Sequence, residues 1–149
     1  MLAHVERAAA IARMDSTVTV IFSGGQTRAG ATQLSEGQSY WLVARALGWL
    51  EGIEGRTTTE EHALDSLDNL MLSVCRYYEF TGKYPAYITV VGFEFKRLRF
   101  DKMHRAAMGY PADRFEYIGI DPDDSRAAER LSGEVGFTSP PYDAREALG

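Results

Sequence analysis

The stretch Thr17-Val18-Thr19-Val20-Ile21-Phe22-Ser23-Gly24-Gly25 sets the fold class of this chain. Its first six residues are all β-branched or aromatic, which favours an extended backbone. Their near-continuous apolar character predicts a strand covered on both faces, not one with a wet side. The run stops at Ser23-Gly24-Gly25, a glycine turn into a polar loop.

Upstream, Val5, Ala8, Ala9 and Ala12 recur at helical spacing and predict a helix over Leu2 to Met14. Downstream, Ser35 is an N-cap for a helix from Glu36 to about Leu50, with Gln38 as its capping-box partner. Trp41, Leu42, Ala44, Leu47 and Leu50 form the expected packing face of that helix. Thr57-Thr58-Thr59 is read as the opening of a long helix from Glu60 to about Phe80. Its predicted buried stripe is Leu64, Leu67, Leu70, Met71, Val74, Cys75 and Tyr78. A second strand is expected over Tyr87 to Val91, a helix from Glu94 to Met108 and a third strand over Phe115 to Ile120.

Strands alternating with helices imply right-handed crossovers between parallel strands, an open α/β sheet with helices on both faces. Residues 1–149 are read as a single domain, with its motifs within 17–120 and an irregular C-terminal tail over 121–149. Ligands of such sheets sit at the carboxyl ends of the strands. The loops there are Ser23 to Leu34 and Gly92 to Lys96.

Composition narrows the function. With 45% hydrophobic and 25% charged residues, a chain of 149 residues has enough apolar surface to fold. A net charge of −5 argues against a general nucleic-acid binder. No apolar run approaches the roughly 20 residues that cross a bilayer, so membrane insertion is not expected. No signal-peptide pattern opens the sequence, and a single cysteine, Cys75, fits a reducing compartment. A cytoplasmic location is the expectation. Against the acidic background, five cations (Lys96, Arg97, Arg99, Lys102 and Arg105) face only Glu94 and Asp101 in one short segment. Such a patch suits a small anionic ligand better than a long polyanion.

The residue types at the strand ends set the chemistry. The amides of Ser23, Gly24 and Gly25 form either an anion nest or simply a tight turn. The pattern is neither a Walker loop nor a dinucleotide fingerprint. Thr27 and Arg28, in the polar loop beyond the turn, join the candidate ligand contacts. Glu36 in a helical first turn suits the helix dipole, and it also suits a ribose contact or a brace on the glycine loop. Glu61, Asp65 and Asn69 fall at i, i+4 and i+8, and Glu60 and His62 are read as solvated surface. Cations at Lys96, Arg97 and Arg99 in the first turns of a helix oppose its dipole unless an anion lies nearby. Arg99 suits a two-point grip on phosphate or carboxylate, with Lys96 as a point charge. Cys75 is expected to be packed and inert. His4, His62 and His104 have no metal-ligand spacing, no nucleophile elbow is present, and Ser23 has no evident base.

Taken in order, IFSGGQTR, LSEGQSYW, TTTEEHALDSLDNL and ITVVGFEFKRLRF resemble the domain of unknown function 218 family, the YdcF/SanA/ElyC-like proteins. The shared pattern is a strand ending in Ser-Gly-Gly, a helix opening with Ser-Glu-Ala, a Thr-x-Glu-Asn-Ala segment and a strand leading to His-x-x-Arg-Ala. The wording of this sequence looks like the eukaryotic, mainly fungal branch. Lys96 stands where the pattern has His, His62 where it has Asn, and Arg99 matches its Arg. The resemblance implies a three-layer Rossmann-like fold whose first strand lies centrally in the order 3-2-1-4-5. This sequence shows no counterpart of that first strand ahead of its opening helix.

One bacterial member of that family is associated with S-adenosylmethionine binding and others with envelope maintenance, without a common reaction. The leading expectation is therefore a domain binding a small anionic or nucleotide-type ligand, S-adenosylmethionine or an adenine nucleotide. Its contacts would be Ser23, Gly24, Gly25, Thr27, Arg28, Glu36, Thr59, Glu61, Asn69, Lys96 and Arg99. The alternatives are a hydrolase or transferase acting on a phosphorylated substrate, with Glu36 or Glu61 as general base, and a non-catalytic remnant that binds partners. Without its first strand the sheet is expected either to pair its two centre strands directly or to offer unpaired edges to a second copy, as a homodimer.

Overall fold

The structure, a computed structural model, describes residues 2–26, 34–121 and 145–148. The opening helix, α1, runs over Leu2–Met14 and buries the expected Val5, Ala8, Ala9 and Ala12. The first strand, β1, is Thr19–Ser23, buried at all five positions. Helix α2 covers Glu36–Ala46, with the Ser35 side chain accepting from the Gln38 amide as its N-cap. It ends four residues earlier than expected, and its buried face is Gly37, Tyr40 and Ala44. Leu42 and Leu47 point outward, because small residues at i and i+7 let the helix lie closely on the strands.

The predicted long helix from Glu60 is corrected. Thr57–Glu60 forms a second strand, β2, whose β-branched threonines pair in parallel with Val20 to Ser23 of β1. Helix α3, Ser66–Thr81, starts only after Asp65 accepts from the Asp68 amide, and Gly82 closes it at a φ of 81°. The buried face of α3 is Ser66, Asn69, Leu70, Ser73 and Tyr77. Leu64, Met71, Cys75 and Tyr78 are exposed. The apolar stripe holds at Leu70 and misleads elsewhere, because Leu64 precedes the helix and because Ser66, Asn69 and Ser73 share the sheet-facing side with Leu70 and Tyr77.

Strand β3 is Ile88–Gly92 and β4 is Phe115–Gly119, paired in parallel with Gly92 opposite Gly119. Between them the expected helix runs unbroken over 94–107 but changes type along its length: a 3-10 turn Glu94–Lys96, α-helical Arg97 and Leu98, a π-helix Arg99–His104 and a short α-turn Arg105–Ala107. The last strand, β5, is Arg145–Leu148, inside the stretch expected to be irregular.

These strands form one five-stranded sheet in the order β2-β1-β5-β3-β4. The chain is thus a mixed α/β protein with two parallel strand pairs joined through a strand that is antiparallel to both its neighbours. The expectation that β1 and β3 pair directly is corrected, because β5 lies between them. Successive β1 residues point to opposite faces. Val20 and Phe22 join α1, Tyr40 and Ala44 in one core cluster. Ile21 joins Leu70, Tyr77, Ile88, Val90, Phe100 and Tyr117 in the other. Among the described residues no helix is long and apolar enough to cross a membrane.

Two outcomes test this arrangement. A thiol-reactive probe labels Cys75 in the native protein without prior denaturation, because its helix face is exposed. Removing residues 145–149 strips β1 and β3 of the strand that links them. The truncated chain then self-associates or loses cooperative unfolding in sedimentation and denaturant experiments. An unaltered monomer with the same midpoint would place the linkage elsewhere.

Candidate functional site

The carboxyl ends of β1 and β2 are tied together by one buried acid. Glu60 lies directly opposite Ser23 in the strand register and is 4% exposed. Its Oε1 accepts from Ser23 Oγ at 2.6 Å, and its Oε2 accepts from the amides of His62 at 2.5 Å and Ala63 at 2.9 Å. An unpaired buried carboxylate would cost many kcal/mol, and these three donors offset that cost. The reading of Glu60 as solvated surface is thereby corrected.

Asn69, buried on α3, stands with its Oδ1 2.7 Å from the same Ser23 hydroxyl. A serine hydroxyl has one proton and cannot donate to both acceptors. Turning the Asn69 amide so that its NH2 donates to Ser23 Oγ serves both contacts.

The glycine turn is closed by protein groups rather than left open for an anion. The Gly24 amide donates to the Glu60 carbonyl at 2.9 Å and the Gly25 amide to the Ala63 carbonyl at 2.8 Å. The first-turn amides of α2 are likewise engaged: Glu36 donates to the Gly25 carbonyl, Gly37 to the Gly24 carbonyl and Gln38 to Ser35 Oγ. Of the two readings of this segment, these bonds describe the tight turn at Gly24 and Gly25. A Cβ at Gly37 would sit 2.5 Å from the Phe22 carbonyl oxygen and 2.7 Å from that of Glu60. Only glycine allows α2 to rest on the strand ends in this way.

The other predicted acids brace the same loops. Glu61 accepts from Ser35 Oγ at 2.8 Å and from Thr59 Oγ1 at 3.1 Å. Glu36 accepts from the Tyr40 hydroxyl at 3.1 Å. Thr27 and Arg28 lie outside the described residues. A groove of about 430 Å³ opens beside these acids, between β2 and α3, and Arg76 lines it. The Arg76 guanidinium donates to Thr58 Oγ1 and to the Thr59 carbonyl, covering part of the outer edge of β2.

The basic residues gather past the end of β3. Arg97 is neutralised locally by Glu94, with two contacts of 2.8 Å, and also donates to the Tyr117 carbonyl. That pairing holds the Glu94 carboxyl below the usual carboxylate range. Lys96 is buried and Arg99 exposed, so the two do not present one common helical face as their spacing suggests. Both nevertheless act on His104. Burial pushes the His104 pKa down from the ordinary histidine value, Arg99 and Lys96 push it further the same way, and Asp65 opposes them. His104 Nε2 lies 2.8 Å from Ser66 Oγ, at the start of α3.

Ser66 and Asn69 share the buried face of α3, three residues apart. The strand-end cluster (Ser23, Glu60, Asn69) and the basic cluster (Lys96, Arg99, His104) are therefore connected through the first turn of α3. Sequence reasoning misses Glu60 and His104. A carboxylate closing a run of three threonines is a usable signal for Glu60. His104 has none, because its partner is 38 residues away. Among the described residues no three His, Cys, Asp or Glu side chains converge as a metal-binding set.

The sequence is similar to a Saccharomyces cerevisiae protein described as uncharacterized protein YOR238W, 36% identical over 142 aligned residues. That alignment takes in 71% of this chain and 47% of the yeast protein, so the chain spans about half the length of that relative. No family model and no solved structure matches the sequence.

Glu60→Gln checks the strand-end clamp. The Gln oxygen still accepts from the two amides, but its nitrogen meets the Ser23 hydroxyl with a donor in place of an acceptor and the charge-assisted bonds are lost, at a cost of about 1–3 kcal/mol. The thermal midpoint then falls by several degrees with the secondary structure retained. An unchanged midpoint would show that the clamp contributes nothing.

Proposed function

We propose that the chain is a Rossmann-like, three-layer domain binding a small anionic, nucleotide-type ligand beside the carboxyl ends of its parallel strands. S-adenosylmethionine and adenine nucleotides are the leading candidates, and the cytoplasm is the expected compartment. The observation that carries this reading is the basic segment past the end of β3, in which Arg99 is exposed on the helical stretch that leads to His104. Arg97 is excluded from the role because Glu94 and the Tyr117 carbonyl already hold its guanidinium. The resemblance to the YdcF/SanA/ElyC-like proteins supports the same choice, since Arg99 falls on the arginine of their pattern.

The anion contact is assigned to the basic cluster and not to the glycine turn, whose amides are engaged. Ser23, Gly24, Gly25, Glu36, Thr59, Glu61 and Asn69 then shape the neighbouring rim. A catalytic reading on a phosphorylated substrate places its base at Glu36 or Glu61, both of which already accept hydroxyl hydrogen bonds. The binding reading is therefore preferred.

Isothermal titration with S-adenosylmethionine, adenine nucleotides and inorganic phosphate tests it. Arg99→Ala removes a charge-assisted contact and weakens binding roughly ten- to a hundredfold. Arg99→Lys also weakens it, because an ammonium cannot make the planar two-point contact. Arg97→Ala instead lowers the unfolding midpoint and leaves affinity nearly unchanged. Equal affinities for wild type and Arg99→Ala would overturn the assignment.

A further inference from the structure

We propose that Ser66 is a nucleophile and His104 its general base, a pair suited to acyl transfer from esters or thioesters that carry an anionic group. Ser66 Oγ and His104 Nε2 are 2.8 Å apart, the contact a serine hydroxyl makes when its proton is to be taken by imidazole. Two separate elements build that contact. Asp65 caps α3 so that Ser66 is its first residue, at the positive end of a 16-residue helix, where negative charge developing on or near Oγ is stabilised.

His104 closes the π-helix Arg99–His104. A π-turn holds one residue more than an α-turn and so rotates the residues beyond it by roughly 100°. This uncommon conformation, found disproportionately at functional sites, aims the imidazole at α3. The ring is further held edge-on to buried Phe100, with centroids 5.2 Å apart.

The surroundings set the protonation state. Burial and the cations Arg99 and Lys96 favour neutral imidazole, while Asp65 opposes them. With the ring proton on Nδ1, Nε2 is the acceptor for the Ser66 hydroxyl. Exposed Arg99 supplies a cation for a carboxylate or phosphate on the substrate. Exposed Leu64, two residues before Ser66, offers apolar surface to an acyl group. In the first step Ser66 Oγ bonds to the carbonyl carbon and its proton passes to Nε2. The carbon–oxygen or carbon–sulfur bond to the leaving group breaks, and that group departs with the proton. Water then attacks the acyl-serine, His104 takes its proton and returns it to Ser66 Oγ, and the free acid leaves.

A fluorophosphonate probe reads this chemistry directly, because Oγ displaces fluoride only when a base removes its proton. Intact mass and peptide mapping of the wild-type protein are expected to show one adduct, on Ser66. Its rate rises with pH through an apparent pKa below the ordinary histidine value of about 6.5 and then levels. Ser66→Ala abolishes the adduct, and His104→Gln slows it about a hundredfold or more and removes the pH step. The wild-type adduct site and pH profile decide the matter even if either variant fails to fold. No adduct on the folded wild type, an adduct on another serine, or a rate unchanged in folded His104→Gln would each overturn the proposal. It rests on the anion-binding reading only for the charge of the substrate. Labelling without calorimetric binding overturns that reading alone, and binding without labelling overturns the dyad alone.

Discussion

The buried carboxylate of Glu60 is the interaction on which the strand-end architecture depends. Two parallel strands must finish level, and the chain must turn sharply out of each. Glu60 accomplishes both by accepting from Ser23 across the register and from the His62 and Ala63 amides beyond its own strand. Its backbone carbonyl holds the Gly24 amide, and Ala63 holds Gly25, so the two loops close on each other. A charge in this position is tolerated only with full hydrogen bonding. The same bonding that stabilises it consumes the amides that a phosphate would otherwise use.

The second constraint is at the centre of the sheet. β1 and β3 run in the same direction but do not touch, and β5 pairs antiparallel with both. Helix α1 packs across β1, β5 and β3 and so covers this join on one face. The carboxyl ends of the four parallel-running strands consequently share one rim. Along that rim the first turn of α3 carries Asn69 toward Ser23 and Ser66 toward His104. One helix face thus links a structural clamp to a reactive pair.

Much of this is legible in the chain. The helix over Leu2–Met14, the strands around Val20 and Val90, and the Ser35 cap all arise from local patterns of branching, periodicity and side-chain hydrogen bonding, which need no distant partner. The misreadings share one cause. Thr57–Glu60 extends because Val20 to Ser23 lie beside it to pair, and Cys75 is exposed because Ser66, Asn69 and Ser73 take the inner face of α3. Both are tertiary overrides of a local preference.

Local chemistry accordingly settles the fold class, the order of most elements and the presence of a basic cluster after β3, since each depends on residues within a few positions of one another. The placement of β5, the burial of Glu60 and the meeting of Ser66 with His104 are set by tertiary packing alone. Each joins groups between 37 and 129 positions apart, as Glu60 with Ser23, Ser66 with His104 and Thr19 with Leu148. Hydrogen-bond partners at such separations leave no periodicity in the chain. A buried charge is also invisible until the donors that make its burial tolerable have been brought to it.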